Sequence, residues 1–230
     1  MSKYLNGMYH GLPIGIGYLS VSFGFGILAV KSGLNIWEAA LISLTNMTSA
    51  GQAAGVGIIA ASGSIIEMIL TQLVINIRYS LMAISLTQKL NDSFTTPQRM
   101  LVSFGITDEV FAVASSYPAK LDKTYMKGLI LTPLIGWVGG TLLGASAGEL
   151  LPSAVTDSLG ILLYGMFIAI IIPPCKKERS LVAVIAISSA VSIVFKYALP
   201  FISNGFAVII SGVSAAVTAS LLFPIKEEDE

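Results

Sequence analysis

Residues 71–86, TQLVINIRYSLMAISL, lie inside an apolar run long enough to cross a bilayer, yet they place Gln72, Asn76 and Arg78 near its centre. An arginine at the middle of a membrane helix costs about 2.5–3.5 kcal/mol on insertion scales, so one that persists there points to function. On a helix that turns about 100° per residue, Gln72, Asn76 and Ser80 share one face, while Arg78 points to nearly the opposite one. A helix with polar groups on two sides is expected to be surrounded by protein rather than lipid. At a rise of 1.5 Å per residue, Arg78 sits roughly 15–20 Å from either end, too far to snorkel easily. A buried or cavity-facing guanidinium is therefore expected.

The rest of the chain fits that setting. Its 230 residues are 54% hydrophobic and 11% charged, against about 25% charged in a soluble domain, and this indicates an integral membrane protein. The fold class expected is all-α: a polytopic membrane helix bundle of seven or eight spans, forming a single domain over residues 1–230. Net charge is zero and the longest basic cluster is Lys176–Arg179, so nucleic-acid binding has no support. With one histidine, His10, and one cysteine, Cys175, the chain holds no disulfide framework or metal cluster, and no cofactor is expected. An intramembrane hydrolase would need a nucleophile with its base, or metal ligands, and finds little here. The N-terminus, MSKYLNGMYH, leads into a span-length run without a convincing cleavage site and reads as the start of the first helix.

Span one is Gly11–Val30, rich in glycine. Span two, roughly Glu38–Ala61, carries Thr45-Asn46-Met47-Thr48-Ser49-Ala50-Gly51-Gln52 in its middle. That composition suits either a broken helix that holds substrate at mid-membrane or an intact helix packed through small polar residues. Span three is Ser64–Gln88; Glu67, one turn inside it, is expected at the interface. Span four, Met100–Tyr117, carries Thr107-Asp108-Glu109 at its centre. One acid is a natural partner for Arg78, since at 4 Å and an effective dielectric near 20 the attraction is about 4 kcal/mol. Adjacent acids lie about 100° apart on a helix, so only one pairs well and the other is a candidate proton carrier. A structural ion pair locking two helices is the alternative role, and the two are compatible.

Span five, Gly128–Ala147, carries Gly136, Gly140, Gly144 and Gly148 at four-residue spacing, a flat stripe for close helix contact within the chain or with another chain. Spans six to eight are Ser158–Ile172, Ser180–Tyr197 and Gly205–Phe223. Whether span four crosses or re-enters stays open, although the positive-inside rule prefers re-entry.

The order GLPIGIGYLSVSFGFGILA, a polar stretch ending in Gln52, INIRYSLMAISL, GITDEVFAVA and GWVGGTLLG resembles the AzlC family over nearly the whole chain. Asn76 and Arg78 match its Asn-x-Arg-His pattern. Thr107, Asp108, Glu109, Phe111 and Ala112 match its Thr-Asp-Glu-x-Phe-Ala motif. Trp137, Gly140, Thr141 and Gly144 match its fifth-span pattern. Tyr79 stands where the family commonly has histidine, which shifts a proton-carrying role toward Asp108 or Glu109. Thr48-Ser49-Ala50-Gly51-Gln52 replaces the more usual Ala-Gly-Ser-Ala-Gln.

The resemblance implies a multi-pass subunit of the bacterial cytoplasmic membrane that exports branched-chain or similar apolar amino acids with a small AzlD-like membrane partner. Coupling to the proton gradient is what secondary transporters generally do. Such a substrate needs a carboxylate site, expected at Arg78 or at a half-helix N-terminus near Gly51. Asp108 or Glu109 is expected to take the ammonium or the proton. Asn46, Gln52 and Asn76 are expected to orient the ligand, with Met47 or Phe111 at its apolar end. A non-transporting scaffold docking through the Gly136–Gly148 stripe is the rival reading.

Overall fold

The computed structural model describes residues 2–152, 165, 168, 171–172, 175–176 and 178–223, and every regular element among them is helical. They fall into two compact bodies, one built from 1–56 and 76–163, the other from 57–75 and 164–230.

The first body is organised on two long helices, α1 (Lys3–Lys31) and α7 (Lys123–Leu150). Ser2 caps α1 by accepting from the Leu5 N–H, and Asp122 caps α7 by accepting from the Thr124 N–H. Gly33, at φ +93°, takes the left-handed turn that carries the chain away from α1. The two helices run parallel: Gly7 meets Tyr125 and Leu129, Gly136 meets Gly15, Gly140 meets Leu19 and Gly144 meets Phe23. The contacts are backbone to backbone, so the stripe predicted in span five is filled by the chain's own first helix. Gly148 stands apart, with ordinary van der Waals neighbours in Ile27 and Val30.

Between these helices the chain makes two hairpins of short helices. α2 (Ile36–Thr45) and α3 (Ser49–Ala60) are separated by an extended break at Asn46, so span two is broken. Ala39 of α2 and Val56 of α3 lie in one core cluster with Phe25 and Ala29, near the end of α1. The tip residue Met47 instead packs with Tyr18 and Trp137, halfway along the long helices. The segment enters to mid-height and returns.

The second hairpin is α5 (Thr96–Phe104) and α6 (Asp108–Ser116), so span four is two helices rather than one run over Met100–Tyr117, in the re-entrant form that had stayed open. Thr107 caps α6 by accepting from the Val110 N–H, with two acids in the first turn, a start signal in the middle of the apolar run. The ends of this hairpin are pinned together: Leu90 bridges Leu121, the Asn91 N–H donates to Leu121 O and the Leu121 N–H to Lys89 O. Each nine-residue helix is about 14 Å long, roughly half the ~30 Å hydrocarbon core, so this segment also enters and returns. It enters from the other end of the α1/α7 pair, where Lys3 meets Asp122.

Before it comes α4 (Ile65–Thr87), whose second half belongs to the first body. Asn76 sits at the first hairpin's tip and Leu86 in the cluster around Met126 and Leu129, so this half runs opposite to α7. Five described helices are long and apolar enough to cross a membrane: α1, α4, α7, α8 (Arg179–Ala198) and α9 (Asn204–Leu222). The expected seven or eight spans are not reached among the described residues. Spans two and four are hairpins, and most of span six lies outside those residues.

In the second body α8 packs against α9. Glu67 is 4% exposed, accepting from Ser203 Oγ at 2.6 Å and the Gly205 N–H at 2.9 Å. The expectation of an interfacial Glu67 is thereby corrected. Its carboxylate answers the open N–H groups at the start of α9.

Candidate functional site

At mid-height of the α1/α7 pair the two hairpin tips converge on one face of α4 and line a half-open cavity of about 200 Å³. One tip contributes Thr45, Asn46, Met47 and Thr48; the other contributes Ser103, Phe104 and Ile106; α4 closes the space with Asn76 and Tyr79. At ~30 Å³ per water this volume corresponds to a solute of roughly seven non-hydrogen atoms. The lining mixes hydroxyls and amides with the apolar side chains of Met47, Phe104 and Ile106.

The first tip is fixed by a buried polar network. Thr48 Oγ1 donates to Asn76 Oδ1 at 2.8 Å and accepts from the Gly51 N–H at 3.1 Å, capping α3. Gln52 is 1% exposed. Its Nε2 donates to Ser43 Oγ at 2.9 Å and its Oε1 accepts from Trp137 Nε1 at 2.9 Å. Ser43 shares a further bond with Thr141 at 2.7 Å. Gln52 thus stands behind the tip and bolts it to α7. An amide buried in apolar surroundings is stable only when both ends are matched, and here both are.

The second tip is fixed through Tyr18. Its hydroxyl lies 2.6 Å from Thr107 Oγ1 and bonds to Glu109 Oε2, and its ring meets Trp137 edge-on with centroids 5.1 Å apart. Asp108 points the other way and pairs with Arg78 at 2.8 Å. The adjacent acids therefore split as their angular separation requires, one to arginine and one to tyrosine.

Of the buried or cavity-facing guanidinium expected for Arg78, burial is not observed: its side chain is 52% exposed and that of Asp108 49%. Pairing does what burial was expected to do. Arg78 also lies over the Tyr79 ring, 5.1 Å from its centroid.

Of the residues predicted for a ligand site, Asn46, Met47 and Asn76 line the cavity. Gly51 lies buried under Thr48, Gln52 is spent in the tip network, and Phe111 packs on the cluster of Leu86, Val110 and Leu129. Arg78 and Asp108 form a pair beside the cavity, and Arg78 adjoins its lining residue Tyr79. The residues that sequence reasoning missed are Tyr18, Ser43, Ser103, Phe104 and Ile106. A helix-ending Gly-Ile-Thr before Asp108 was the available signal for the last three.

A family model described as AzlC protein matches residues 13–151, a range that contains every residue of this site. The protein named Inner membrane protein YgaZ from Escherichia coli (strain K12) is 28% identical over 206 residues, covering 86% of this chain and 84% of its own. An Archaeoglobus fulgidus protein named only as an uncharacterized membrane protein is 31% identical over 185 residues, covering 80% and 81%. One from Helicobacter pylori (strain 26695), named in the same way, is 25% identical over 175 residues, covering 74% and 75%. No solved structure matches the chain.

Proposed function

The chain belongs to the AzlC family, and from that premise we propose that it exports branched-chain or similar apolar amino acids through the cavity between the two hairpin tips. The observation that carries this reading is the cavity itself. It lies midway along the long helices, is sized for a small solute and is lined by both polar and apolar side chains. Broken helices meeting at the midplane are how secondary transporters hold a solute that neither lipid nor bulk water would hold there.

In this reading Asn46, Thr48 and Asn76 orient the solute, and Met47, Phe104 and Ile106 take its apolar side chain. Gln52 keeps the first tip in place. The Arg78–Asp108 pair is a charged latch between α4 and the second tip, and Glu109 under Tyr18 is the group to carry a coupling proton. Lys3, Lys89, Lys120 and Lys123 gather at the end where Leu90 meets Leu121, which makes that end cytoplasmic by the positive-inside rule. The setting is the bacterial cytoplasmic membrane, with a small AzlD-like protein as partner. The scaffold alternative loses its docking stripe, because Gly136, Gly140 and Gly144 are already covered by α1.

The test is leucine and valine efflux from cells loaded with leucine- or valine-containing dipeptides. Empty cells are compared with cells bearing this chain, the chain plus its candidate partner, and the partner plus an Asp108→Asn chain. Efflux that needs the chain and fails in the variant supports the reading. No efflux in any arm, with the protein folded in the membrane, overturns it.

A further inference from the structure

Resting on the exporter reading, we infer that the exported amino acid enters through a second crevice, between α4 and α5, where Arg99 receives its carboxylate first. This crevice holds about 210 Å³, close to the volume of the central cavity. Ser103 and Ile106 belong to the linings of both spaces, so the end of α5 and the turn after it form the partition between them. One stripe of α4 serves both as well. Asn76 and Tyr79 line the cavity, and Ala83 and Leu86 continue along the crevice at the same three- and four-residue spacing. Leu90, just past the helix, closes the stripe at the end where it bridges Leu121, the end assigned to the cytoplasm. An exporter loads from that side.

The chemistry of the crevice matches an apolar amino acid. Leu86, Met100, Val102 and Met126 supply apolar flanks, and Arg99 is the charged residue among the described lining. Other cations at this end are engaged: Lys3 pairs with Asp122, Lys89 donates to Ser115 O and Lys120 to Gln88 O. Arg99 is exposed and has no ion pair or side-chain hydrogen bond among the described residues. The nearby hydroxyls are spent on their own helices, Thr87 on Ala83 O and Ser103 on Met100 O. The unengaged polar group is therefore a guanidinium, whose planar fork meets a carboxylate with two parallel hydrogen bonds. Arg99 stands one helical turn before Ser103, about 6 Å along α5. A solute held there by its carboxylate lies beside the partition, and Ile106, 7% exposed, is the apolar side chain that shifts to let it pass.

Inside-out membrane vesicles bearing the full chain and its candidate partner present the cytoplasmic end to the medium. Uptake of labelled leucine then gives the half-saturation concentration and the maximal rate separately. Arg99→Gln should raise half-saturation about tenfold or more and leave the maximal rate within about twofold. Arg99→Lys, which keeps the charge without the fork, should fall between the two. A second measurement places Met100→Cys in a Cys175→Ser background and treats the vesicles with an anionic methanethiosulfonate. Leucine should slow modification of the introduced thiol, and complete modification should block uptake. Half-saturation unchanged in Arg99→Gln, or no protection of the thiol by leucine, overturns the assignment. So does a fall in maximal rate alone, the result expected if Arg99 holds an anionic lipid head instead. The two readings fail separately. Uptake by the parent chain with half-saturation unchanged in Arg99→Gln keeps the exporter and removes the entry crevice, whereas no uptake by any chain removes the exporter and the crevice's role with it.

Discussion

Gly144→Ala should destabilise the protein, and the seam between α1 and α7 sets the size of the effect. A Cβ built on Gly144 overlaps the carbonyl oxygen of Phe23 and comes 2.7 Å from its carbonyl carbon and 2.8 Å from its Cα. Optimal carbon contacts lie at 3.5–4.0 Å, so the helices must part locally by about 1 Å, and no rotamer change relieves a clash with backbone. Overpacking of this kind costs typically 1–3 kcal/mol. A loss of about 1–3 kcal/mol converts to roughly 2–12 °C in a chain of this size. Gly139 is the control, since nothing lies within 4 Å of a Cβ placed there. Gly139→Ala should melt with or slightly above the parent protein. Thermal unfolding of both purified variants, followed by tryptophan fluorescence, reports directly because Trp137 is buried beside the seam. Equal midpoints for the two variants would refute the packing argument.

Gln52→Leu leaves the Trp137 N–H and the Ser43 hydroxyl without their amide partner in a dry site, a loss of about 1–3 kcal/mol that should also lower efflux; an unchanged melting point counts against the bolt. For the latch, Arg78→Asp and Asp108→Arg should each abolish efflux, and the double exchange should restore part of it, so a double variant no better than either single one speaks against a pairwise role. Tyr18→Phe removes both bonds to the second tip, and efflux should fall while the protein stays folded, as judged by its elution from a sizing column. Acid stability has a legible contributor in Asp122, whose carboxyl is held below its ordinary value by the backbone N–H of Thr124 and by Lys3. A folded-state value below the unfolded one means stability that is present above about pH 4 and lost as pH falls through the lowered value. Asp122→Asn should flatten that acid limb in melts taken from pH 6 to pH 3, and an unaltered pH profile would show that the cap contributes nothing.

The sequence was most informative where physics leaves few choices. Glycines at four-residue spacing in an apolar helix demand a close neighbour, and Gly136, Gly140 and Gly144 have one. The polar stretch around Asn46 announced a break without deciding it. Arg78 and an acid of α6 had to meet, and they do. Re-entry of the second hairpin stayed open, with the charge bias favouring it, because hydrophobicity alone does not distinguish a span from two half-spans. Thr95, Pro97 and Gln98 at one start and Thr107-Asp108-Glu109 at the other are ordinary helix-start signals. Read as such, they divide Met100–Tyr117 at Gly105. The exposure of Arg78 and the burial of Glu67 were illegible for a different reason. Both depend on which distant helix end arrives beside them, and that is a property of packing, not of the local run.

The placement of charge explains why such a chain tolerates three ionisable groups at mid-height. Asp108 and Glu109 occupy the first turn of α6, where the helix end itself favours negative charge, and each then meets one specific partner. Arg78 is neutralised by the acid that α6 delivers. Each charge is thus answered locally, while Arg78 and Asp108 stay about half exposed. The arrangement also ties the two tips together: Tyr18 holds the second tip by its hydroxyl, while its ring rests on Trp137, which holds the first tip through Gln52. Movement of either tip must pass through this aromatic pair. In the exporter reading, two hairpins that meet at the cavity from opposite ends and are joined at its back by the Tyr18–Trp137 ring contact have a form suited to alternating access.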